Sequence, residues 1–170
     1  MPEKNSGKFK CVILMGVSGC GKTTIGEMLS ERLGWDFIES DDFHSAQDVR
    51  KMSSGIPLTD EDRWPWLARL NTAILHKQEE HTSCVVACSA LKETYRMMLC
   101  ADVKGCEYVY LKGDYNLIEE RMRTRAHFMK AGMLQSQFDA LEEPSDAITI
   151  DIHQSPEAIV NEIIRNMSTD

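Results

Sequence analysis

The chain lacks any long hydrophobic run, and no apolar stretch approaches the roughly 20 residues that a membrane helix needs. Its first ten residues are polar and basic, and Phe9 is their only large apolar residue after the initiator methionine, so the sequence indicates no secretory signal. These two absences predict a cytoplasmic protein with no membrane partner.

Positive charge is also scarce. The chain has 19 Lys and Arg against 27 Asp and Glu, a formal net charge of −8. Because nucleic-acid backbones are held by dense positive charge, this balance argues against a nucleic-acid partner. It is compatible with a small anionic ligand, which needs only a local cluster of Lys and Arg.

The six cysteines show no zinc-ligand spacing, because Cys84 and Cys88 have no second pair to complete a site. Several lie in strand-like apolar runs, so we expect all six to be reduced, mostly buried, small hydrophobic residues. Cys20 lies inside a glycine-rich loop, where we expect its backbone N–H to matter; a redox role for its thiol is the alternative.

What the chain does have is a regular alternation of strand-like and helix-like runs. The predicted strands are 10–15, 36–39, 83–88, 107–111 and 147–152, and the predicted helices are 23–33, 45–53, 59–80, 92–100, 114–123 and 156–167. In the long third helix we favour Asp62 over Thr59 as N-cap, because Pro65 fits best within a first turn. The alternation predicts one α/β domain over 1–170, with a parallel sheet covered on both faces and residues 1–8 disordered.

Residues 16–23, GVSGCGKT, match the P-loop pattern G-x-x-x-x-G-K-[ST] between an apolar strand and an amphipathic helix. Glycines let successive backbone N–H groups point at one anion, and the following helix presents its positive dipole end to the same place. Lys22 would reach the β- and γ-phosphates, and the Thr23 hydroxyl would ligate Mg²⁺. The motif predicts nucleotide binding.

Two further features of the sequence indicate which class of P-loop protein this is. A guanine-reading Asn-Lys-x-Asp segment is missing, which excludes a GTPase. Ligands of open α/β sheets gather beyond the carboxyl ends of the strands, where residues 39–44 place carboxylates and an imidazole beside the P-loop. We expect Asp41 to align an attacking hydroxyl; the alternative is that it caps the next helix. For His44 a substrate contact and a solvated loop histidine are both compatible with the sequence.

Further short motifs occur along residues 10–155. Beside the P-loop they are SDDFH at 40–44, RKM at 50–52, GIPL at 55–58, DEDR at 60–63, PWL at 65–67, CSALK at 88–92, YR at 95–96, HF at 127–128 and LQSQF at 134–138. With these blocks the chain resembles the small P-loop gluconokinase family, which is related in fold to shikimate kinase. One departure is Glu39 in 39–41, where the family commonly has Asp-x-Asp.

The resemblance implies a three-layer α/β/α P-loop kinase fold, with a five-stranded parallel sheet of order 2-3-1-4-5 and a mobile lid over 121–131. It implies the reaction of ATP, with Mg²⁺, and D-gluconate to give ADP and 6-phospho-D-gluconate. Two rival functions stay open: another small kinase, for shikimate or a nucleotide, and a nucleotide-binding sensor with weak catalysis. The sequence is compatible with a homodimer and does not settle the oligomeric state.

The resemblance also assigns roles to residues. The expected catalytic residues are Lys22, Asp41 and Arg125, and the expected metal ligands are Thr23 and Glu39. Nucleotide binding is assigned to Gly16, Val17, Ser18, Gly19, Cys20, Gly21, Lys22, Thr23, Thr24 and Arg121, with adenine near 151–155. Substrate binding is assigned to Asp41, His44, Arg50, Lys51, Arg63, Lys92, Arg96 and His127. Arg121 and Arg125 are four residues apart and would share one helix face.

Overall fold

A computed structural model of the chain describes residues 7–124 and 131–167. Five strands form one parallel sheet of order β2-β3-β1-β4-β5, which confirms the predicted topology. The strands are β1 Cys11–Met15, β2 Asp36–Glu39, β3 Cys84–Ala87, β4 Cys106–Lys112 and β5 Ile148–Asp151. The helices are α1 Lys22–Leu33, α2 Ala46–Ser53, α3 Asp60–Glu79, α4 Glu93–Leu99, α5 Tyr115–Arg123, α6 Ala131–Ala140 and α7 Pro156–Asn166.

Strand register brings the functional loops together at one edge of the sheet. Cys11 lies opposite both Cys84 and Cys106, so β1, β3 and β4 start level with one another. Because all strands are parallel, the loops that follow β1, β2 and β3 leave from the same edge. The P-loop and the acidic segment after β2 are therefore neighbours in space.

Alternate residues of the central strand enter two cores, one on each face of the sheet. Val12 and Leu14 pack with α1 and α7, whereas Ile13 and Met15 pack with α3 and α4. All of β1 is buried, and each fully buried aliphatic side chain contributes about 1.5–3 kcal/mol to stability. This burial on both sides gives the predicted three-layer arrangement and fixes the strand that carries the P-loop.

The start of α3 corrects one expectation. Thr59, not Asp62, is the N-cap: its hydroxyl accepts from the Asp62 N–H, and the Asp62 carboxylate accepts from the Thr59 N–H. This reciprocal capping box satisfies two backbone donors, which outweighs the cost of Pro65 in the second turn.

Helix α6 is absent from the sequence-based prediction. Leu134, Phe138 and Leu141 recur at helical spacing, and Leu134 is buried in the core beside α5. The predicted lid over 121–131 lies partly in α5 and otherwise mostly outside the described residues. The predicted disorder of 1–8 likewise falls mainly outside them.

The cysteines divide into two groups. Cys11, Cys20, Cys84 and Cys88 are free and buried, as expected. Cys100 and Cys106 form a disulfide, so the expectation that all six are reduced is wrong. Cys100 ends α4 and Cys106 begins β4, and the turn between them brings their Cα atoms to 6.4 Å, within the range a disulfide spans.

None of the helices in the described part of the chain combines the length and the apolar character needed to cross a membrane.

Candidate active site

A cavity of about 500 Å³ opens at the carboxyl edge of the sheet, between the P-loop and the segments that follow β2. Six parts of the chain contribute to its wall: the P-loop with the start of α1, the acidic segment after β2, the residues from α2 to α3, Ser89 after β3, Met122 of α5, and α6. Its lining includes Ser18, Gly19, Gly21, Lys22, Thr23, Thr24, Glu39, Asp41, His44, Arg63, Trp66, Met133, Ser136 and Gln137.

The P-loop has the backbone conformation that its glycines permit. Gly19 and Gly21 have φ values of 85° and 101°, which L side chains rarely adopt. A Cβ at Gly19 would also lie 2.7 Å from Met122 Cγ, so the loop packs closely on α5. Helix α1 begins at Lys22, directly after the loop, and directs its N-terminal N–H groups toward the cavity.

Lys22 folds back over the loop. Its Nζ donates hydrogen bonds to the Gly16 and Val17 carbonyls at 2.8 and 3.0 Å. The start of the loop is held in turn by the Gly16 N–H, which donates to the Ser89 carbonyl after β3. The ammonium group is thus placed at the loop end where a P-loop lysine meets the β- and γ-phosphates.

Thr23 and Glu39 meet across the gap between α1 and β2. The Thr23 hydroxyl donates a 2.5 Å hydrogen bond to Glu39 Oε2. A hydroxyl and a carboxylate are hard oxygen ligands, and Mg²⁺ at a nucleotide site takes few protein ligands beside phosphates and water. No cluster of three or more His, Cys, Asp or Glu that could hold a metal occurs in 7–124 or 131–167. The donor pair therefore fits a nucleotide-bound Mg²⁺ and not an all-protein metal cage.

Asp41 presents its carboxylate to the cavity. It lies in the 3₁₀ turn Ser40–Phe43, its side chain is 80% exposed, and its N–H donates to Glu39 Oε1 at 3.3 Å. The alternative role as helix cap is not what the structure shows, because Ser45 caps α2 by accepting from the Asp48 N–H.

His44 is not a solvated loop residue. Its ring stacks on Trp66 with centroids 4.2 Å apart, and its side chain is only 5% exposed. Nε2 lies 3.8 Å from Asp41 Oδ1, whereas Nδ1 is buried, 3.9 Å from Asp48 Oδ2, and finds no hydrogen-bond partner among the residues that the structure describes. Burial is the main cause that lowers the pKa of His44, against the opposing pull of the two aspartates. The folded protein therefore favours a neutral imidazole beside Asp41.

Arg63 reaches the cavity wall from the first turns of α3. Its Nη1 donates to the Tyr95 hydroxyl at 2.7 Å, and the Tyr95 hydroxyl donates to the Asp60 carboxylate. Lys92 Nζ completes the chain by donating to Asp60 Oδ1 at 3.2 Å. The hydrogen bonds from Tyr95 and Lys92 lower the pKa of Asp60. This network fixes one edge of the Arg63 guanidinium, and no other acceptor in the described part of the chain takes its remaining donors.

The structure does not bring the other predicted substrate cations to the cavity wall. Lys51 pairs with Asp62 at 2.5 Å, and that bond is the main cause that lowers the pKa of Asp62 to about 2. Lys92 pairs with Asp60, and Arg50 is exposed on α2. Arg96 is buried and donates to the carbonyls of Ala90, Leu91 and Glu142, so it supports the loop after β3.

The predicted lid residues have different outcomes. Arg121 Nη2 donates to the Ile152 carbonyl at 2.7 Å, so Arg121 touches the segment after β5 where the adenine was expected. Arg125 and His127 lie outside the described residues.

Sequence reasoning missed residues of the cavity that carry no charge. Trp66 supports His44 and its Nε1 donates to the Ser40 carbonyl at 2.8 Å, which holds the end of β2. Gln137 of α6 hydrogen-bonds Ser18 of the P-loop. Both occur inside the PWL and LQSQF blocks, so the signal was present, but neither residue type announces a role in phosphoryl transfer.

A P-loop after the central strand of a 2-3-1-4-5 parallel sheet, facing an acidic acceptor side, defines a P-loop kinase. Residues 18–168 match the family model of shikimate kinase. The thermosensitive gluconokinase of Escherichia coli (strain K12) is 47% identical over 146 residues, which covers 83% of this chain and 78% of that protein. The chain belongs to the gluconokinase family.

Solved structures agree with that assignment. A gluconokinase from Sinorhizobium meliloti 1021 superimposes with a TM-score of 0.84 and 40% identity, covering 94% of this chain and 92% of the other. A sugar kinase from Janibacter sp. HTCC2649 gives a TM-score of 0.87 and 41% identity, covering 92% and 93%. The rival interpretations, a different small kinase or a sensor, are not favoured by these relatives.

Proposed function

We propose that this chain transfers the γ-phosphoryl group of ATP to the 6-hydroxyl of D-gluconate, giving 6-phospho-D-gluconate and ADP. The observation that carries the proposal is the single cavity in which the P-loop lysine and Asp41 face the same space, with Arg63 on the wall. In-line transfer needs a phosphate cradle on one side and an aligned alcohol on the other. The gluconokinase relatives supply the identity of the alcohol.

On the nucleotide side, residues 16–24 hold the phosphates through backbone N–H groups and Lys22. Thr23 and Glu39 would hold Mg²⁺, which when bound offsets phosphate charge. Lys22 donates to carbonyls of its own loop, so its ammonium is already oriented before it meets an anion. This pre-organisation is the main resource of phosphoryl-transfer enzymes, which act mostly by positioning and electrostatics. Arg121 donates a hydrogen bond to the Ile152 carbonyl and so supports the segment at which the adenine of ATP would bind.

On the acceptor side, Asp41 aligns the hydroxyl and accepts its proton. His44 and Trp66 form the wall behind it. Arg63 pairs with the gluconate carboxylate, because a forked guanidinium matches a carboxylate and Arg63 has donors beyond the one that Tyr95 accepts. Lys51, Lys92 and Arg96 act at one remove, through Asp62, Asp60 and the loop after β3. Roles for Arg50, Arg125 and His127 rest on the family resemblance.

The proposal extends to the whole chain. Residues 1–170 form one kinase domain that acts in the cytoplasm. The support is the continuous sheet from β2 to β5 and the match to relatives over most of their length.

A coupled assay for ADP release tests the proposal. Purified protein is given ATP and Mg²⁺ with gluconate, shikimate or a nucleoside monophosphate, and Lys22→Ala serves as the inactive control. We expect ADP release that depends on gluconate and on Mg²⁺. Release with shikimate or a nucleotide instead would contradict the substrate, and tight ATP binding without gluconate-dependent release would favour the sensor.

A further inference from the structure

The side-chain amide of Gln137 is locked to the third residue of the P-loop. The Ser18 N–H donates to Gln137 Oε1 at 2.6 Å, and Gln137 Nε2 donates to Ser18 Oγ at 2.9 Å. These two residues are 119 positions apart in the chain and line the same cavity. The pair therefore joins α6 to the phosphate loop at the site of the chemistry.

Gln137 stands on a fixed support. Leu134, one turn earlier in α6, is 2% exposed in the core. Just beyond the helix, the Glu142 N–H donates to the Leu91 carbonyl at 2.8 Å, and Arg96 donates to the Glu142 carbonyl at 3.0 Å. Because α6 is held at both points, the amide is positioned by the fold and not only by its contact with Ser18.

The hydrogen-bonding chemistry fixes which way the amide faces. A backbone N–H can only donate, so the atom that meets Ser18 N must be the amide oxygen, and Nε2 must face the hydroxyl. An amide nitrogen carries two N–H groups, and Ser18 Oγ takes one of them. No acceptor within residues 7–124 and 131–167 takes the second N–H, and because Gln137 lines the cavity, that N–H is available to a ligand there.

The position of Ser18 indicates which phosphate that acceptor belongs to. Lys22 Nζ lies 3.0 Å from the carbonyl of Val17, the residue directly before Ser18. A P-loop lysine reaches the β- and γ-phosphates. The Gln137–Ser18 pair thus lies at the loop end that meets the transferring group.

We infer that Gln137 is a γ-phosphoryl-binding residue, which holds Ser18 in place and donates its second N–H to an oxygen of the group being transferred. The inference rests on the proposed function, because it assumes a nucleoside triphosphate in the P-loop. Gln137 would thus add a neutral donor to the charged phosphate-binding groups already assigned. It lies on α6, which carries none of those charged groups.

Binding of a non-hydrolysable ATP analogue and of ADP, each with Mg²⁺, tests this inference by calorimetry on the full chain. Gln137→Glu keeps the oxygen that Ser18 needs, but it removes both N–H donors and adds a negative charge. We expect it to weaken the ATP analogue roughly tenfold or more, while ADP affinity changes less than about threefold. Gln137→Leu should show the same selectivity with a smaller loss.

Gln135→Glu is the matched control. Gln135 lies on the same helix, is exposed, and donates to Asp139 at 2.8 Å outside the cavity. Gln135→Glu adds the same negative charge to α6 as Gln137→Glu does, so we expect its affinities for ADP and for the ATP analogue to stay within about twofold of wild type. Thermal unfolding of the three variants separates a binding effect from loss of fold.

Three results would count against the inference. Equal weakening of ADP and the ATP analogue would make Gln137 a support of the loop only, and unchanged affinity would give it no role. Tighter ATP binding by Gln137→Leu would show that Gln137 competes with the nucleotide. A wild-type protein that binds the analogue but releases no gluconate-dependent ADP would overturn the proposed function, yet the γ-phosphate selectivity of Gln137 would remain measurable.

Discussion

Thr23 and Glu39 share a 2.5 Å hydrogen bond that ties the first turn of α1 to the end of β2. The bond joins the two residues that the sequence assigned to one Mg²⁺, although 16 positions separate them. A carboxylate one methylene longer than aspartate still reaches the P-loop threonine from this strand. The variation at residue 39 therefore leaves the oxygen pair of the expected metal site intact.

Shortening or neutralising residue 39 should change the demand for Mg²⁺ more than the affinity for gluconate. In Glu39→Gln one carboxylate charge is lost beside Thr23, so we expect the Mg²⁺ concentration for half-maximal turnover to rise several-fold. The Mg²⁺ concentration that Glu39→Asp needs should lie between those of wild type and Glu39→Gln, because aspartate keeps the charge on a shorter side chain. Titration of turnover with Mg²⁺ at saturating ATP and gluconate measures this. An unchanged Mg²⁺ requirement in Glu39→Gln would remove Glu39 from the metal site.

Acid should destabilise the fold through His44. Burial lowers its pKa in the folded protein, whereas the unfolded imidazole titrates near its ordinary value of about 6.5. Below that pH the unfolded chain binds a proton that the folded protein resists, so stability is lost as pH falls from about 7 toward the lower, folded pKa. Asp41 and Asp48 moderate this loss by favouring the cation, and Arg69 and Arg63 add to it.

The measurement is the melting temperature of wild type and His44→Asn at pH 7.5 and pH 5.5. The variant should lose less stability over that interval than wild type does. His76→Gln is the control, because His76 is exposed on α3, and it should follow the wild-type curve. Equal pH dependence in wild type and His44→Asn would contradict a buried neutral imidazole.

The sequence predicted the parts of this molecule that depend on local pattern. All five strands and the P-loop are confirmed, because short strand-like runs and a fixed motif depend little on distant contacts; the strand order that the family resemblance implied is confirmed as well. Side-chain pairing was harder to foresee. Lys51 and Lys92 carry the charge expected of substrate contacts, but they form ion pairs with Asp62 and Asp60 instead. The packing of the helices determines these pairs.

Two further differences have the same cause. The Cys100–Cys106 disulfide depends on a turn that brings two chain segments together, which residue spacing alone does not reveal. Gln137 reaches Ser18 because the tertiary fold brings α6 to the P-loop, a contact over 119 positions. The acceptor-side roles of Asp41 and Arg63 stay predictions from the family pattern, to which the structure adds a shared cavity.

Removing the Tyr95 hydroxyl should loosen Arg63 and weaken gluconate binding. Tyr95→Phe keeps the ring but loses the bonds to Arg63 and Asp60, so we expect KM for gluconate to rise about three- to tenfold with kcat and KM for ATP nearly unchanged. Arg63→Lys should raise KM for gluconate more than Tyr95→Phe does, because an ammonium group cannot pair with a carboxylate through two parallel hydrogen bonds.

Steady-state kinetics with gluconate and ATP varied separately gives both values. Arg32→Lys is the matched control for Arg63→Lys, because Arg32 bonds Asn161 and does not line the cavity, and the substitution likewise replaces a guanidinium with an ammonium. A fall in kcat alone for Tyr95→Phe would show that the network acts on the chemical step and not on the carboxylate.

The most direct test of the central claim is the turnover of Asp41→Asn beside Asp42→Asn. Both variants remove one carboxylate from the same 3₁₀ turn, but only Asp41 lines the cavity. If Asp41 aligns the gluconate hydroxyl and accepts its proton, kcat of Asp41→Asn falls by about 100-fold or more at unchanged melting temperature, whereas Asp42→Asn stays near wild type. Near-normal turnover of Asp41→Asn would contradict the account.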